Sequence, residues 1–198
     1  NNMVRLGLDG TGSIYVLQVN YAAYPAIGSL TVFAADAQDD APPIRTLILP
    51  GDGLSAASAF ALDQQGRVFV GYTYGGLVRV FTANVDGTPP AIRIFGTKGD
   101  DGSAGIVDLA VDDNGLAYVL TSLQLRVYGP DAANDDPPLR VVTLDTGAQN
   151  AGLDVAIDGR VFLANDQGIA VLAANASGAA TPLFTFGTAA KNAVAIAP

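Results

Sequence analysis

The chain has 198 residues, a formal net charge of −9, and no His, Cys, Glu or Trp; all 19 of its acidic residues are Asp. That composition excludes Ser-His-Asp and Cys-His catalysis, a disulfide framework, and zinc sites built on nitrogen or sulfur side chains. The charge disfavours nucleic acid, whose phosphates it would repel, and no apolar run approaches the roughly 20 residues of a membrane-spanning helix.

In chain order, short apolar bursts alternate with Gly, Pro, Asn and Asp, which marks strands and turns. The first unit opens with Val4–Leu8, then an Asp-x-x-Gly turn at Asp9 to Gly12, then Ser13-Ile14-Tyr15-Val16. A burst ending in Val32-Phe33 follows. Pro42-Pro43 then precedes the extended Ile44-Arg45-Thr46-Leu47. The second unit repeats the order: Ala59–Leu62, Asp63 to Gly66, Val68-Phe69-Val70, Val80-Phe81, Pro89-Pro90, Ile92-Arg93-Ile94-Phe95. The third reads Val107–Val111, Asp112 to Gly115, Ala117-Tyr118-Val119, Val127-Tyr128, Pro137-Pro138, Leu139-Arg140-Val141-Val142. The fourth reads Leu153–Ile157, a shortened Asp158-Gly159, Val161-Phe162-Leu163, Val171-Leu172, Pro182, Leu183-Phe184-Thr185-Phe186. The tail Asn192-Ala193-Val194-Ala195-Ile196 matches the start of a fifth unit.

Four strands per unit at a period of roughly 44–50 residues point to an all-β propeller of four-stranded antiparallel blades. The repeats are placed at 1–54, 55–104, 105–150 and 151–190, with 191–198 starting a surplus inner strand. The prolines sit where a strand can begin but not where it must donate. The aromatic residues are expected to pack between blades. Three arrangements remain open: a fragment of a larger propeller of about six to eight blades, a four-bladed ring with a displaced tail, and an open arc whose free edges pair with another chain.

The order of small apolar strand, Asp-x-x-Gly, Tyr/Phe-Val strand, Val-Phe strand, Pro-marked turn and Arg-bearing strand resembles bacterial NHL-like β-propeller repeats. The resemblance implies architecture more than activity, because such propellers serve as binding platforms, scaffolds and occasionally enzymes. Lactonase and gluconolactonase relatives bind a divalent metal through a Glu with Asn and Asp, and a chain without Glu departs from them at a key ligand.

A meander sends its first and third turns to one face. That face receives Asp9, Asp63, Asp112, Asp113 and Asp158, together with Asp36, Asp39, Asp40, Asp86, Asp131, Asp135 and Asp136. Asp39-Asp40 and Asp135-Asp136 occupy equivalent positions, so Ca²⁺ is the cation to consider there. The competing reading is turn chemistry and solubility. Tyr21, Tyr24, Tyr72 and Tyr74 fall in second turns on the opposite face, as contacts for a protein or glycan or as packing within the loops. Arg45, Arg93 and Arg140 recur at one position of the last strand and are expected to cover apolar stems and blunt the sheet edge. Asn175-Ala176-Ser177 is a glycosylation sequon in a turn.

These features predict a non-enzymatic interaction or structural module with no required cofactor. Its partner would be a protein, a glycan or another copy joined through open edges. A metal-dependent hydrolase or lactonase-type propeller is the alternative. A start at Asn1-Asn2, two Lys and no Cys suggest a processed or excised form of a secreted or cell-surface protein of bacterial type.

Overall fold

The structure, a computed structural model, describes residues 2–22, 26–51, 56–73, 76–96, 105–144 and 150–187. These residues form sixteen strands in four sheets. Blade 1 contains β1 (Asn2–Leu8), β2 (Ile14–Asn20), β3 (Ile27–Phe33) and β4 (Arg45–Pro50). Blade 2 contains β5 (Ala57–Leu62), β6 (Val68–Tyr72), β7 (Val78–Phe81) and β8 (Arg93–Phe95). Blade 3 contains β9 (Ile106–Val111), β10 (Ala117–Thr121), β11 (Gln124–Tyr128) and β12 (Arg140–Thr143). Blade 4 contains β13 (Asn150–Val155), β14 (Val161–Asn165), β15 (Gly168–Leu172) and β16 (Phe184–Phe186). In each sheet the strands pair antiparallel in sequence order. The fold is therefore an all-β array of propeller-type blades. The surplus tail expected at 191–198 lies outside the described residues.

Successive blades pack face to face through their inner strands, β1 on β5, β5 on β9 and β9 on β13. Three apolar cores follow, one at each junction. Tyr15, Leu17, Leu30, Leu47 and Phe60 join blades 1 and 2. Phe69, Phe95, Leu109 and Tyr128 join blades 2 and 3. Tyr118, Leu120, Val142, Leu153 and Leu163 join blades 3 and 4. Among the described residues no fourth core links blade 4 back to blade 1, so the described chain is an open arc.

The burial of each second strand reports how many neighbours its blade has. In β6 and β10 every residue is buried, because both faces are covered. In β2 burial alternates, with Tyr15, Leu17 and Val19 turned inward and Gln18 and Asn20 in water. Pleating places alternate side chains on opposite faces, so alternation in blade 1 means one covered face.

A second device ties the blades at their outer edge. The turn between third and fourth strands clasps the fourth strand of the preceding blade. Gly87 N–H donates to Thr46 O at 2.9 Å, and Ile48 N–H donates to Gly87 O at 2.6 Å. Asn134 N–H donates to Ile94 O at 2.6 Å, and Gly178 N–H to Val141 O at 2.8 Å. The clasping residue is left-handed each time, with φ of 68° at Gly87, 53° at Asn134 and 64° at Gly178. Gly and Asn suit that conformation. One or two of the outermost strand's unpaired backbone groups are thereby satisfied at each joint.

Phe95 is the centre of the middle junction, 5.0 Å from the Tyr128 ring and 6.5 Å from Phe69. Phe95→Ala removes a fully buried ring and leaves a cavity, so it is expected to cost about 3–5 kcal/mol. Equilibrium urea unfolding measures that loss.

Candidate interaction face

The first turn of each blade is built on one pattern. Asp9 Oδ1 accepts from Thr11 N and Ser13 N, both at 2.9 Å. Asp63 Oδ1 accepts from Gln65 N at 3.0 Å and Arg67 N at 2.8 Å. Asp112 Oδ1 accepts from Asn114 N at 3.0 Å and Leu116 N at 2.9 Å. Each Asp carbonyl also accepts from the closing glycine at 2.9 Å. Gly12, Gly66 and Gly115 close these turns with φ between 73° and 83°. The Asp-x-x-Gly motif is thus a self-capped turn in which one carboxylate oxygen organises two backbone donors.

Blade 4 corrects the sequence expectation. Its turn is not shortened. Ala156 N–H donates to Arg160 O, and Gly159 N–H to Ala156 O at 2.8 Å, so Ala156 stands in the Asp position. Asp158 lies two residues later and accepts from Arg160 N at 3.1 Å and Arg160 Nε at 2.8 Å. The inner strand accordingly ends at Val155, and Ile157 is an exposed turn residue.

Above the inner strands these turns line an open hollow of about 650 Å³, with Asp9, Asp63, Asp112, Asp113, Gln64 and Asn84 on its walls. A second hollow of about 570 Å³ adjoins it and shares Asp112 and Asp113; Arg140, Asp158 and Arg160 complete it. First and third turns do share one face, and that face is rich in carboxylate. Its charge is partly matched. Asp63 is buried and takes Arg67 Nε at 2.5 Å, while Asp158 takes Arg160. Burial pushes the Asp9 carboxyl up, but hydrogen bonds from Thr11 and Ser13 outweigh it and hold the group below 3.8. The stability Asp9 adds is therefore full above about pH 3.8 and is lost as acid protonates it.

Beneath the hollows the axis is occupied. Arg5 of blade 1 donates through Nε to Ser58 O at 2.9 Å and through Nη2 to Val107 O at 2.7 Å. Its Nη1 lies 3.6 Å from Asp108 Oδ1. One side chain thus links the inner strands of three blades. Burial raises the Asp108 carboxyl above its ordinary value, opposed by Arg5 and by the N–H groups of Leu153 and Leu109. Sequence reasoning missed this pair. The signal was opposite charges on two inner strands otherwise made of small apolar residues.

The candidate residues separate. Asp39-Asp40 and Asp135-Asp136 lie in third turns of blades 1 and 3, with blade 2 between them, and they are not equivalent as expected but one residue out of register, since the left-handed Asp39 matches Asn134. Asp136 Oδ2 accepts from Ala133 N at 2.9 Å, a turn bond. Among the described residues no three carboxylates converge on one cation position. Tyr21 is 45% exposed. Tyr72 is a correction: it is 3% exposed, with its ring beneath the Arg79 guanidinium at 4.5 Å. Burial raises its phenol pKa, opposed by Arg79. Its face is covered by the neighbouring blade, so it is core and no contact residue. Tyr24 and Tyr74 lie outside the described residues. Asn175 is exposed in its turn.

Arg45, Arg93 and Arg140 also differ from expectation. They reach across the junction instead of shielding an edge. Arg45 donates to Asn84 Oδ1 at 2.8 Å and to Tyr15 Oη at 3.2 Å. Arg93 donates to Pro130 O, and Arg140 to Ala174 O.

No family model and no curated protein sequence matches the chain. Solved structures do. Raptor from Chaetomium thermophilum matches over 96% of this chain and 17% of its own, with a TM-score of 0.68 and 13% identity. KlAtg21, in a complex with the coiled-coil of AgAtg16, matches over 95% of this chain and 58% of its own, with a TM-score of 0.63 and 16% identity. A protein of unknown function from Bacteroides caccae matches over 93% of this chain and 72% of its own, at 0.58 and 9%. At such identities the likeness is one of fold: a β-propeller. The chain spans about a sixth of the first of these proteins and under two thirds of the second.

Asp63→Ala strips two backbone N–H groups and a guanidinium of their shared acceptor. A loss of about 2–3 kcal/mol is expected, since unsatisfied buried donors cost roughly 1–3. Conversely, Ala156→Asp restores the missing acceptor and should add about 1 kcal/mol. Thermal melts of the two variants beside the parent measure both.

Proposed function

We propose that this chain is a non-catalytic interaction module whose carboxylate-lined face receives a basic segment of a protein partner. The carrying observation is the pair of adjoining hollows, walled by turn carboxylates that their own hydrogen bonds hold in place. A wall of fixed acceptors suits Lys and Arg donors, because the anionic groups need no rearrangement when the partner arrives. Arg5 spans the inner strands of blades 1 to 3 below, so a partner would rest on the rim and not pass between them. A propeller of similar fold, KlAtg21, is known in a complex with a coiled coil, which supports an extended protein segment as occupant.

The NHL-like character of the repeats and a secreted or cell-surface setting belong to the same proposal. They rest on the motifs and on a composition with two Lys and no Cys. The lactonase-type alternative has less support: there is no Glu, and Asp9, Asp63, Asp112 and Asp158 are taken up as turn acceptors or ion-pair partners.

Asp113 is exposed, lines both hollows and is not the turn's acceptor. Asp113→Lys should weaken binding of a lysine-rich coiled-coil peptide by roughly three- to tenfold, the scale of one or two exposed ion pairs. Raising ionic strength from 0.05 to about 0.3 M should weaken the parent further by shortening the screening length. Gln167→Lys, in a turn of the opposite face, should change nothing. Equal affinity for parent and Asp113→Lys in calorimetric titration would sink the proposal.

A further inference from the structure

The two ends of the arc are the two halves of the joint that the chain already makes three times. Val32 to Ile44, Val80 to Ile92, Val127 to Leu139 and Val171 to Leu183 are each 12 residues apart, so all four third turns have one length. In blades 2 to 4 the seventh residue after the valine is the left-handed clasp, Gly87, Asn134 or Gly178. In blade 1 that residue is Asp39, which also holds a left-handed φ of 48°. A non-glycine residue with positive φ is uncommon outside a built turn. The clasp of blade 1 is formed, yet among the described residues no fourth strand lies in it.

The apolar face beside it is equally complete. Leu6 pairs with Val16 as Phe60 does with Val70, Leu109 with Val119 and Leu153 with Leu163. Phe60, Leu109 and Leu153 are buried against the preceding blade, whereas Leu6 is 72% and Leu8 67% exposed.

Blade 4 offers the reciprocal half. Phe186 holds the register of Leu47, Phe95 and Val142, all buried at a joint, but is itself 47% exposed. Thr185 holds the place of Thr46, Ile94 and Val141, whose carbonyls accept the clasp. One position departs from the pattern. Phe184 replaces the junction Arg and stacks on Phe186 at 6.1 Å, so this end presents an aromatic pair.

We infer that the occupant of each end is a second copy of this chain, docked head to tail, with β16 of one copy clasped by the Asp39 turn of the other. Phe184 and Phe186 then cover the apolar face of blade 1, and Phe162 meets Leu6 as Tyr15 meets Phe60. Such a joint is heterologous. Two arcs of four blades closing on each other give eight blades, the upper end of the usual range of about four to eight. The inference is independent of the basic partner proposed for the acidic face, because it uses the blade faces and the outer edge.

Light scattering on the purified chain reads the mass directly. The expected value is twice the 20.1 kDa of one chain. Leu6→Asp and Phe186→Asp each place a charge on one half-joint, at sites exposed in the single chain, so both should fold and each should fall to the monomer mass. Mixed together, they keep one intact joint and should recover a dimer. Since the chain has no native Cys, an Asp39→Cys, Phe186→Cys double variant should also form a disulfide between copies on mild oxidation. That readout still decides the matter if an Asp variant fails to fold. A parent monomeric at every concentration, a dimer indifferent to both Asp substitutions, or a double variant that stays uncrosslinked would each overturn the inference.

Discussion

The clasp between one blade's outer strand and the next blade's third turn is the constraint from which the rest of the arc follows. A lone four-stranded meander has two wet faces and an exposed edge, and it gains little stability by itself. The junction solves both problems at once. It buries a full sheet face, and it gives the outermost carbonyl and N–H groups partners at 2.6–2.9 Å. Because the turn has the same length in every blade, the angle between neighbours is set by the same bonds each time. Curvature is a property of the repeat and needs no long-range specification.

That origin explains which parts of the structure can be read from the chain. Asp-x-x-Gly, the double prolines and the Val-aromatic pairs are local, so each fixes its turn or strand without reference to other blades. Strand order follows from them, since short turns join antiparallel neighbours. What a residue touches across a junction is not local. Tyr72 sits in a second strand beside a turn, as a loop contact would, and it is buried because blade 1 covers that face of blade 2. Arg45, Arg93 and Arg140 look like edge charges in sequence, yet their guanidinium groups end on the next blade. Ala156 escaped notice for the opposite reason. The turn it occupies survives without the Asp that made the other three visible, held by Gly159, its backbone bonds and the Asp158 side chain.

The acidic composition reads differently once the bonds are traced. Asp9, Asp63 and Asp112 each spend one oxygen on two backbone donors of their own turn. Asn could accept as well, so the amide-capping geometry alone does not require negative charge. Asp63 uses its second oxygen for Arg67, and Asp158 for Arg160. Asp113 has no such turn role and faces both hollows. The charge on the rim is therefore of two kinds, one committed to the backbone and one left for water or a partner, and only the second can change without disturbing the turns.

Arg5 and Asp108 extend this reasoning to the axis. Their opposite charges occur where inner strands elsewhere carry small apolar residues, and a guanidinium there can fork to carbonyls on two strands while facing a carboxylate. Partly buried pairs of this sort add little net stability, because desolvation offsets much of the attraction, as the raised Asp108 pKa reflects. Their effect is geometric. One side chain ties blades 1, 2 and 3 at the narrowest radius, where the outer clasps have least leverage. A joint held at both its inner and outer radius cannot hinge. Blade 4 reaches the same pair through Leu153 N–H, which donates to Asp108 Oδ2 at 2.9 Å. The Arg5–Asp108 pair therefore gathers the inner strands of all four described blades, while the Gly178 turn holds blade 4 at its outer edge as Gly87 and Asn134 hold the others.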